Sequence, residues 1–347
     1  MRMKSYLYIP VLLLLALNAA AEVTQADIDY AIEVYQAGDP EKSFELVKRM
    51  AEQGHAVAQS HLGSLYLQGD GTEQNIEEGL RWLKLAAENN FPGAHYNLGA
   101  IYEQGMGVPV DKALAIKWYE SGAALNSAEA AYNLGHMYFS GNAVKQDYDH
   151  AVKLFIQAAE LESGQAMFNL GLMYLNGTGV DQDTDEALRW LTQAVDGNVP
   201  EAMYTLGSLY SEGIGVEKNL QQALVYYKRG AETGFPLAQT TLGIMYYHGA
   251  GVGRDLKEAV KWTRLAAMQG EAQAQYNLGL MAIRGEGMMQ YPALGYAWIY
   301  IASLQNLPSA VADMKKVEEV DGSLPPEEVR QGKALAQDLI EKYQFKF

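Results

Sequence analysis

The stretch Ala94-His95-Tyr96-Asn97-Leu98-Gly99-Ala100-Ile101-Tyr102-Glu103-Gln104-Gly105-Met106-Gly107 decides the fold, because the chain writes its frame repeatedly. The Leu-Gly pair returns as Leu62-Gly63, Leu134-Gly135, Leu170-Gly171, Leu206-Gly207, Leu242-Gly243 and Leu278-Gly279, each glycine 36 residues from the last. A fixed period of this size marks an array of stacked units. Alanine stands four residues before every leucine, from Ala58 to Ala274, and an apolar residue two after every glycine, from Leu65 to Met281. Tyrosine follows one later, as Tyr66, Tyr102, Tyr138, Tyr174, Tyr210 and Tyr246, with Ala282 the exception. Spacings of i, i+4, i+7 and i+8 place these residues on one helix face. The glycine lies on another face, where it lets a neighbouring helix approach closely.

Outward from this helix, a repeated Gly-x-Gly closes it: Gly69/Gly71, Gly105/Gly107, Gly177/Gly179, Gly213/Gly215, Gly249/Gly251 and Gly285/Gly287, with Gly141/Ala143 departing. Glycine after a helix supplies the left-handed conformation that ends it. A second helix is predicted to start at Asn75, Asp111, Asp147, Asp183, Asn219 and Asp255, whose short oxygens cap an orphan N–H. Glu78, Glu186 and Glu258, with Gln222 as a substitute, stand where a capping box wants them. The second helix carries Gly79, Ala115, Ala151, Ala187, Ala223, Ala259 and Gly295. Three residues after these come Trp82, Trp118, Leu154, Trp190, Tyr226, Trp262 and Trp298. One such pair cannot bury its apolar face alone, whereas stacked pairs share a continuous core.

The pattern A-x-x-x-L-G-x-x-Y, then G-x-G, then a capped helix with small residues and tryptophan, resembles the Sel1-like repeat, a relative of the tetratricopeptide repeat. The resemblance covers Ala58 to Asn306. It implies an all-α, right-handed α-solenoid of stacked helix–turn–helix repeats. The expected organisation is a signal peptide at 1–21, an N-terminal capping helix pair at 22–57, seven repeats at 58–309 and C-terminal capping helices at 310–347. Tyr30, Ser43 and Leu46 keep the period upstream, where the turn is Gly38-Asp39-Pro40. Downstream, Ala310, Met314 and Val317 keep the apolar phase, but Lys315 and Glu318 replace the glycine and tyrosine. Pro325-Pro326-Glu327-Glu328 opens a last helix to about Tyr343.

At the N-terminus, Arg2 and Lys4 precede an apolar run from Leu7 to Leu17, and Ala19 and Ala21 offer the small residues of a cleavage site. The run is about half of the ~20 residues that span a bilayer. Cleavage after Ala21 is expected, leaving no membrane span and placing the chain in a periplasm or outside the cell. The 347 residues contain no cysteine, which removes disulfides, thiol nucleophiles and thiolate metal sites. The formal charge of −16, more acidic still without Arg2 and Lys4, repels nucleic acid, and no basic run compensates.

Motifs that imitate chemistry have plainer readings. The Gly-x-Gly loops follow a helix and lack the third glycine of a dinucleotide loop, as in Gly249-Ala250-Gly251-Val252-Gly253-Arg254. Asp181-Gln182-Asp183-Thr184-Asp185 imitates a calcium loop, but Glu186 and Thr192 stand where glycine and glutamate are required. His55, His61, His95, His136, His150 and His248 have no metal-ligand spacing and read as surface or groove residues. Enzymatic activity is proposed for a cysteine-rich branch of the resembled family, and a chain without cysteine departs from that branch. No enzyme activity, cofactor or metal is expected.

In related solenoids the first helices line a concave face, and the resemblance carries this over. Between the buried arcs lies a more polar, varied stripe. Candidate partner-binding residues on it are Asn97, Gln104, Asn133, His136, Asn169, Asn176, Glu212, His248, Asn277 and Arg284. A row of amides there can hydrogen-bond an extended peptide, or can serve only to bond neighbouring helices. The expected function is an exported scaffold or adaptor that holds another protein, in envelope regulation, peptidoglycan-enzyme partnership or host interaction. Alternatives are a glycan or peptidoglycan binder, for which Phe139 and Tyr247 are the aromatic candidates, and an envelope hydrolase, which needs convergent carboxylates.

Overall fold

The computed structural model describes residues 24–319 and 324–347, and among them the secondary structure is eighteen helices without a strand. The expected leader at 1–21 and the side chains of Val317 and Glu318 lie outside the described residues. The chain divides into two compact units, residues 1–182 and 183–347. The first holds α1 (Gln25–Gln36), α2 (Pro40–Glu52), α3 (Ala56–Gln68), α4 (Ile76–Glu88), α5 (Pro92–Gln104), α6 (Lys112–Ala124), α7 (Ala128–Ser140), α8 (Tyr148–Glu160) and α9 (Gly164–Asn176). The second holds α10 (Thr184–Asp196), α11 (Pro200–Glu212), α12 (Leu220–Glu232), α13 (Pro236–His248), α14 (Leu256–Met268), α15 (Ala272–Arg284), α16 (Pro292–Leu304), α17 (Pro308–Glu319) and α18 (Pro326–Tyr343). Each unit is a tandem stack of helix pairs, the α-solenoid arrangement. Odd-numbered helices are the first of each pair (A helices) and even-numbered ones the second (B helices).

The framework residues do what their spacing asks. Ala58, Ala94, Ala130, Ala202, Ala238 and Ala274 are buried, as are the leucines of the Leu-Gly pairs. The glycine is the seam of each pair: a Cβ added at Gly99 would stand 2.5 Å from the Tyr119 ring, and one at Gly63 would stand 2.7 Å from Leu83. The residue seated on the glycine follows the tryptophan position by one, as Leu83, Tyr119, Phe155, Tyr227 and Ile299. Gly63 meets Leu83 while Gly79 meets Leu67, so the two helices of a pair run antiparallel.

The A–B loops are closed as expected. Gly69 and Gly71 have φ of +73° and +70°, and a Cβ at Gly71 would overlap the Pro40 carbonyl at the start of α2. Gly107, Gly179, Gly215, Gly251 and Gly287 also meet the first residue of the preceding B helix, through its side chain at Ile76 and Thr184 and its carbonyl at Leu220 and Leu256. The caps hold too: Asn75, Asp111, Asp147, Asp183 and Asn219 accept the N3 amide of their helices at 2.9–3.1 Å, and Asp255 caps α14. Asp183, from the calcium-like run, is one of these caps. The expected capping boxes are replaced by another pairing. Glu78, Glu186 and Glu258 turn to Arg81, Arg189 and Lys261, whose cations lie 4.5, 4.2 and 4.9 Å from the rings of Trp82, Trp190 and Trp262.

The last helix stays with the array. Gly332 and Ala336 of α18 are buried, with Gly332 against Tyr296 and Ala293 of α16, and Tyr343 and Phe345 ring Trp298 at 6.5 and 6.3 Å.

Candidate functional site

The A helices carry the stripe, and it has two kinds of residue. In the first unit, Gln104, His136 and Asn176 are exposed, while the amides above them bond within the stack. Asn97 is buried, and its Nδ2 donates to Ser60 Oγ at 3.4 Å. Asn169 Nδ2 donates to the Tyr132 hydroxyl at 3.5 Å. Asn133 Nδ2 donates to the Glu129 carbonyl at 2.9 Å, with the Tyr96 hydroxyl hydrogen-bonded beside it. These three amides bond within the stack. In the second unit, Glu212, His248 and Arg284 are exposed and Asn277 is half-buried.

Three of the ten candidates, His248, Asn277 and Arg284, meet at one cleft of about 260 Å³ between α13 and α15. Its floor is apolar: Gly243 and Ile244 from α13, Leu280 and Met281 from α15. Gly243 lets α14 close against this floor, since a Cβ there would collide with Thr263. The rim is polar. Gln273 Nε2 donates to Asn277 Oδ1 at 2.9 Å. The Tyr247 hydroxyl donates to Glu286 Oε2 at 2.7 Å, and this carboxylate lies 3.8 Å from Arg284 Nη1. The hydrogen bond to Glu286 holds the Tyr247 phenol above its usual pKa. Arg254 Nε donates to the Tyr247 carbonyl at 3.0 Å, and the His248 ring stands edge-on to Tyr247 with centroids 4.9 Å apart. The volume lies just below the ~300 Å³ where drug-sized pockets begin, so the cleft suits one side chain or one sugar ring. Glu286 is the one carboxylate among its lining residues, whereas glycoside hydrolysis generally needs two.

The Sel1 repeat model matches residues 26–55, 56–91, 92–127, 128–163, 164–199, 200–235, 236–271 and 272–307. The chain belongs to the Sel1 repeat family. Among solved structures, a Sel1 repeat protein from Oxalobacter formigenes is 31% identical over 84% of this chain and 86% of its own, with a TM-score of 0.66. The protein c5321, a protective antigen present in uropathogenic Escherichia coli strains and displaying an SLR fold, is 28% identical over 92% of this chain and 76% of its own, with a TM-score of 0.52. No curated protein matches the chain. Sel1 repeat proteins are scaffolds that generally mediate protein–protein interaction. The match begins at residue 26 and so takes in α1 and α2. Among the described residues no helix is long and apolar enough to cross a membrane.

Sel1 repeat periodicity also places the other residues that line the cleft. Ile244 and Leu280 share one position of the period, and Glu286 is the central residue of a Gly-x-Gly. That central residue varies freely (Asp70, Met106, Asn142, Thr178, Ile214, Ala250), and this variability was its signal. Gln273 carries no pattern of its own, and Thr263 stands at the seam position that Leu83, Tyr119, Phe155, Tyr227 and Ile299 fill elsewhere. His95, expected on the surface or in the groove, is a core residue: its Nε2 sits 3.2 Å from the Ala87 carbonyl.

Proposed function

We propose that this Sel1 repeat chain is an exported scaffold that holds a segment of another protein against its A helices, with the α13–α15 cleft as one anchoring point. The observation that carries the reading is that cleft: the framework around it is buried and self-satisfied, yet Ile244 keeps 37% of its surface open beside Leu280. An aliphatic floor with a hydrogen-bonding rim is the composition of a recognition site. Arg2, Lys4, the Leu7–Leu17 run and Ala19–Ala21 support export. Similarity to c5321, a protective antigen, is in keeping with an envelope location.

The test is crosslinked capture from envelope extract, with the chain from Glu22 as bait and an Ile244→Glu, Leu280→Glu double variant as control. One protein enriched by the wild type and lost with the variant is the expected result. Enrichment of glycan alone, with Tyr247→Ala abolishing it, replaces the scaffold reading with a carbohydrate-binding one.

A further inference from the structure

We propose that the α13–α15 cleft reads a peptide segment in which an apolar side chain is followed closely by a carboxylate. The apolar side chain enters between Ile244 and Leu280, and the carboxylate meets Arg284. The proposal rests on the scaffold reading and names the chemistry of what is held.

The floor sets the first half of the motif. At the period position of Ile244 and Leu280 the other repeats carry Ser64, Ala100, His136, Leu172 and Ser208, so large aliphatics stand in consecutive repeats only here. Gly243 and Met281 extend the same apolar surface downwards. Apolar area rimmed by polar groups on a soluble protein marks an interaction site.

The rim sets the second half, because it carries the guanidinium of Arg284 and its one carboxylate, Glu286, already engages two rim residues. Along the outer position of the stripe the residues run Gln68, Gln104, Ser140, Asn176, Glu212, then His248 and Arg284. The two residues that can carry positive charge therefore fall side by side at the cleft. Gln273 Nε2 donates to Asn277 Oδ1, and the Asn277 amide nitrogen adds a donor to the rim. Glu286, the acceptor, takes the Tyr247 hydroxyl at 2.7 Å and stands 3.8 Å from Arg284. That ion pair is loose and its arginine side chain is 55% exposed. A guanidinium has five donors in a planar fork that matches a carboxylate, so Arg284 retains a face for a second anion.

The charge of −16 on the chain favours basic partners in general, but it acts over the whole surface. At physiological ionic strength such a field decays within about 8 Å. It discourages acidic chains in general and favours one that also seats an apolar side chain on the floor. The recognition is thus two-part, with the apolar side chain supplying most of the affinity and the carboxylate adding to it.

The experiment is selection of a random-peptide display library on the full chain, followed by affinity measurements with fluorescent synthetic copies of the recovered peptides. Recovered peptides are expected to share an apolar residue next to Asp or Glu. Replacing that acid by its amide, or Arg284→Gln in the protein, is expected to weaken binding by about fivefold. Making both changes together should lose little more than either alone, because both remove one interaction. Ile244→Glu should abolish binding, with the melting temperature of each variant checking that the fold persists. Peptides that bind, are released by Ile244→Glu and ignore Arg284→Gln overturn the carboxylate claim and leave the scaffold reading standing. A library that yields nothing sensitive to Ile244→Glu overturns the proposal and removes the cleft from the scaffold reading as well.

Discussion

His95 shows how one residue can depart from its repeat. At its position Gln59, Gln239 and Gln275 donate to the carbonyl eight residues back, at 3.3, 3.1 and 3.2 Å, and His95 does the same to Ala87. In those repeats the side-chain oxygen accepts from Asn89, Gln269 or Gln305, 30 residues on; the residue there for His95 is Leu125, and His95 Nδ1 is buried without a partner. Around it stand the Trp118 ring and Gly122. Burial therefore lowers the His95 pKa from 6.5. The folded state binds fewer protons than the unfolded one, so the stabilisation is fully present above pH 6.5 and declines as pH falls through the folded value. His95→Gln should flatten the acid side of the melting-temperature profile while keeping the Ala87 bond. An unchanged profile would contradict this. Two other residues adopt left-handed backbone without being glycine or asparagine where their period counterparts are: Ala143 at φ +74° and Glu162 at +66°. Ala143→Gly and Glu162→Gly should each stabilise by up to about 1 kcal/mol, read as a rise in melting temperature. These positions were visible as breaks in the period. The role of His95 was not, because a lone histidine shows its burial only once the helices are stacked.

At the scale of the element, the B helices are tied to the next repeat through polar side chains. Gln275, fully buried, donates to the Ala267 carbonyl and accepts from Gln305, which also reaches the Gly270 carbonyl at 3.0 Å. Where the first position is Ala131 or Met203, a side chain from the following B helix takes over: Gln157 bonds the Ala123 carbonyl and Arg229 the Val195 carbonyl. Gln275→Leu should cost about 1–3 kcal/mol by stranding a buried carbonyl, measured by urea unfolding. The cap of α16 makes the opposite case. Tyr291 stands where the other repeats have Asn or Asp, and it makes no capping bond. Tyr291→Asp should stabilise α16 by about 1 kcal/mol. The helices, their caps and their glycine turns were legible because each depends on residues within one turn of chain. The glutamates at N3 were misread because a carboxylate there has two local partners, and Arg81, Arg189 and Lys261 compete successfully with the cap N–H.

At the scale of the molecule, two stacks of helix pairs present a surface whose framework is fixed and whose stripe varies, which is how a repeat scaffold acquires a partner without changing its fold. The fold was readable from the period alone. The site was half-readable: His248, Asn277 and Arg284 fell on the right stripe, but Asn97, Asn133 and Asn169 lie on it equally and bond to their neighbours. Which amide faces inward depends on the side chain opposite it one repeat earlier, such as Ser60 or Tyr132, and helical spacing does not reveal that. Export, proposed from the first residues, predicts a mature chain beginning at Glu22, and N-terminal sequencing of the exported protein checks it.

The most direct test of the central claim is photo-crosslinking in living cells from a benzophenone amino acid placed at His248, with Lys228 on α12 as the comparison position. The account predicts one crosslinked protein from position 248, lost in the Ile244→Glu background, and none from position 228. Equal crosslinking from both positions, or a product at 248 that ignores Ile244→Glu, would contradict it.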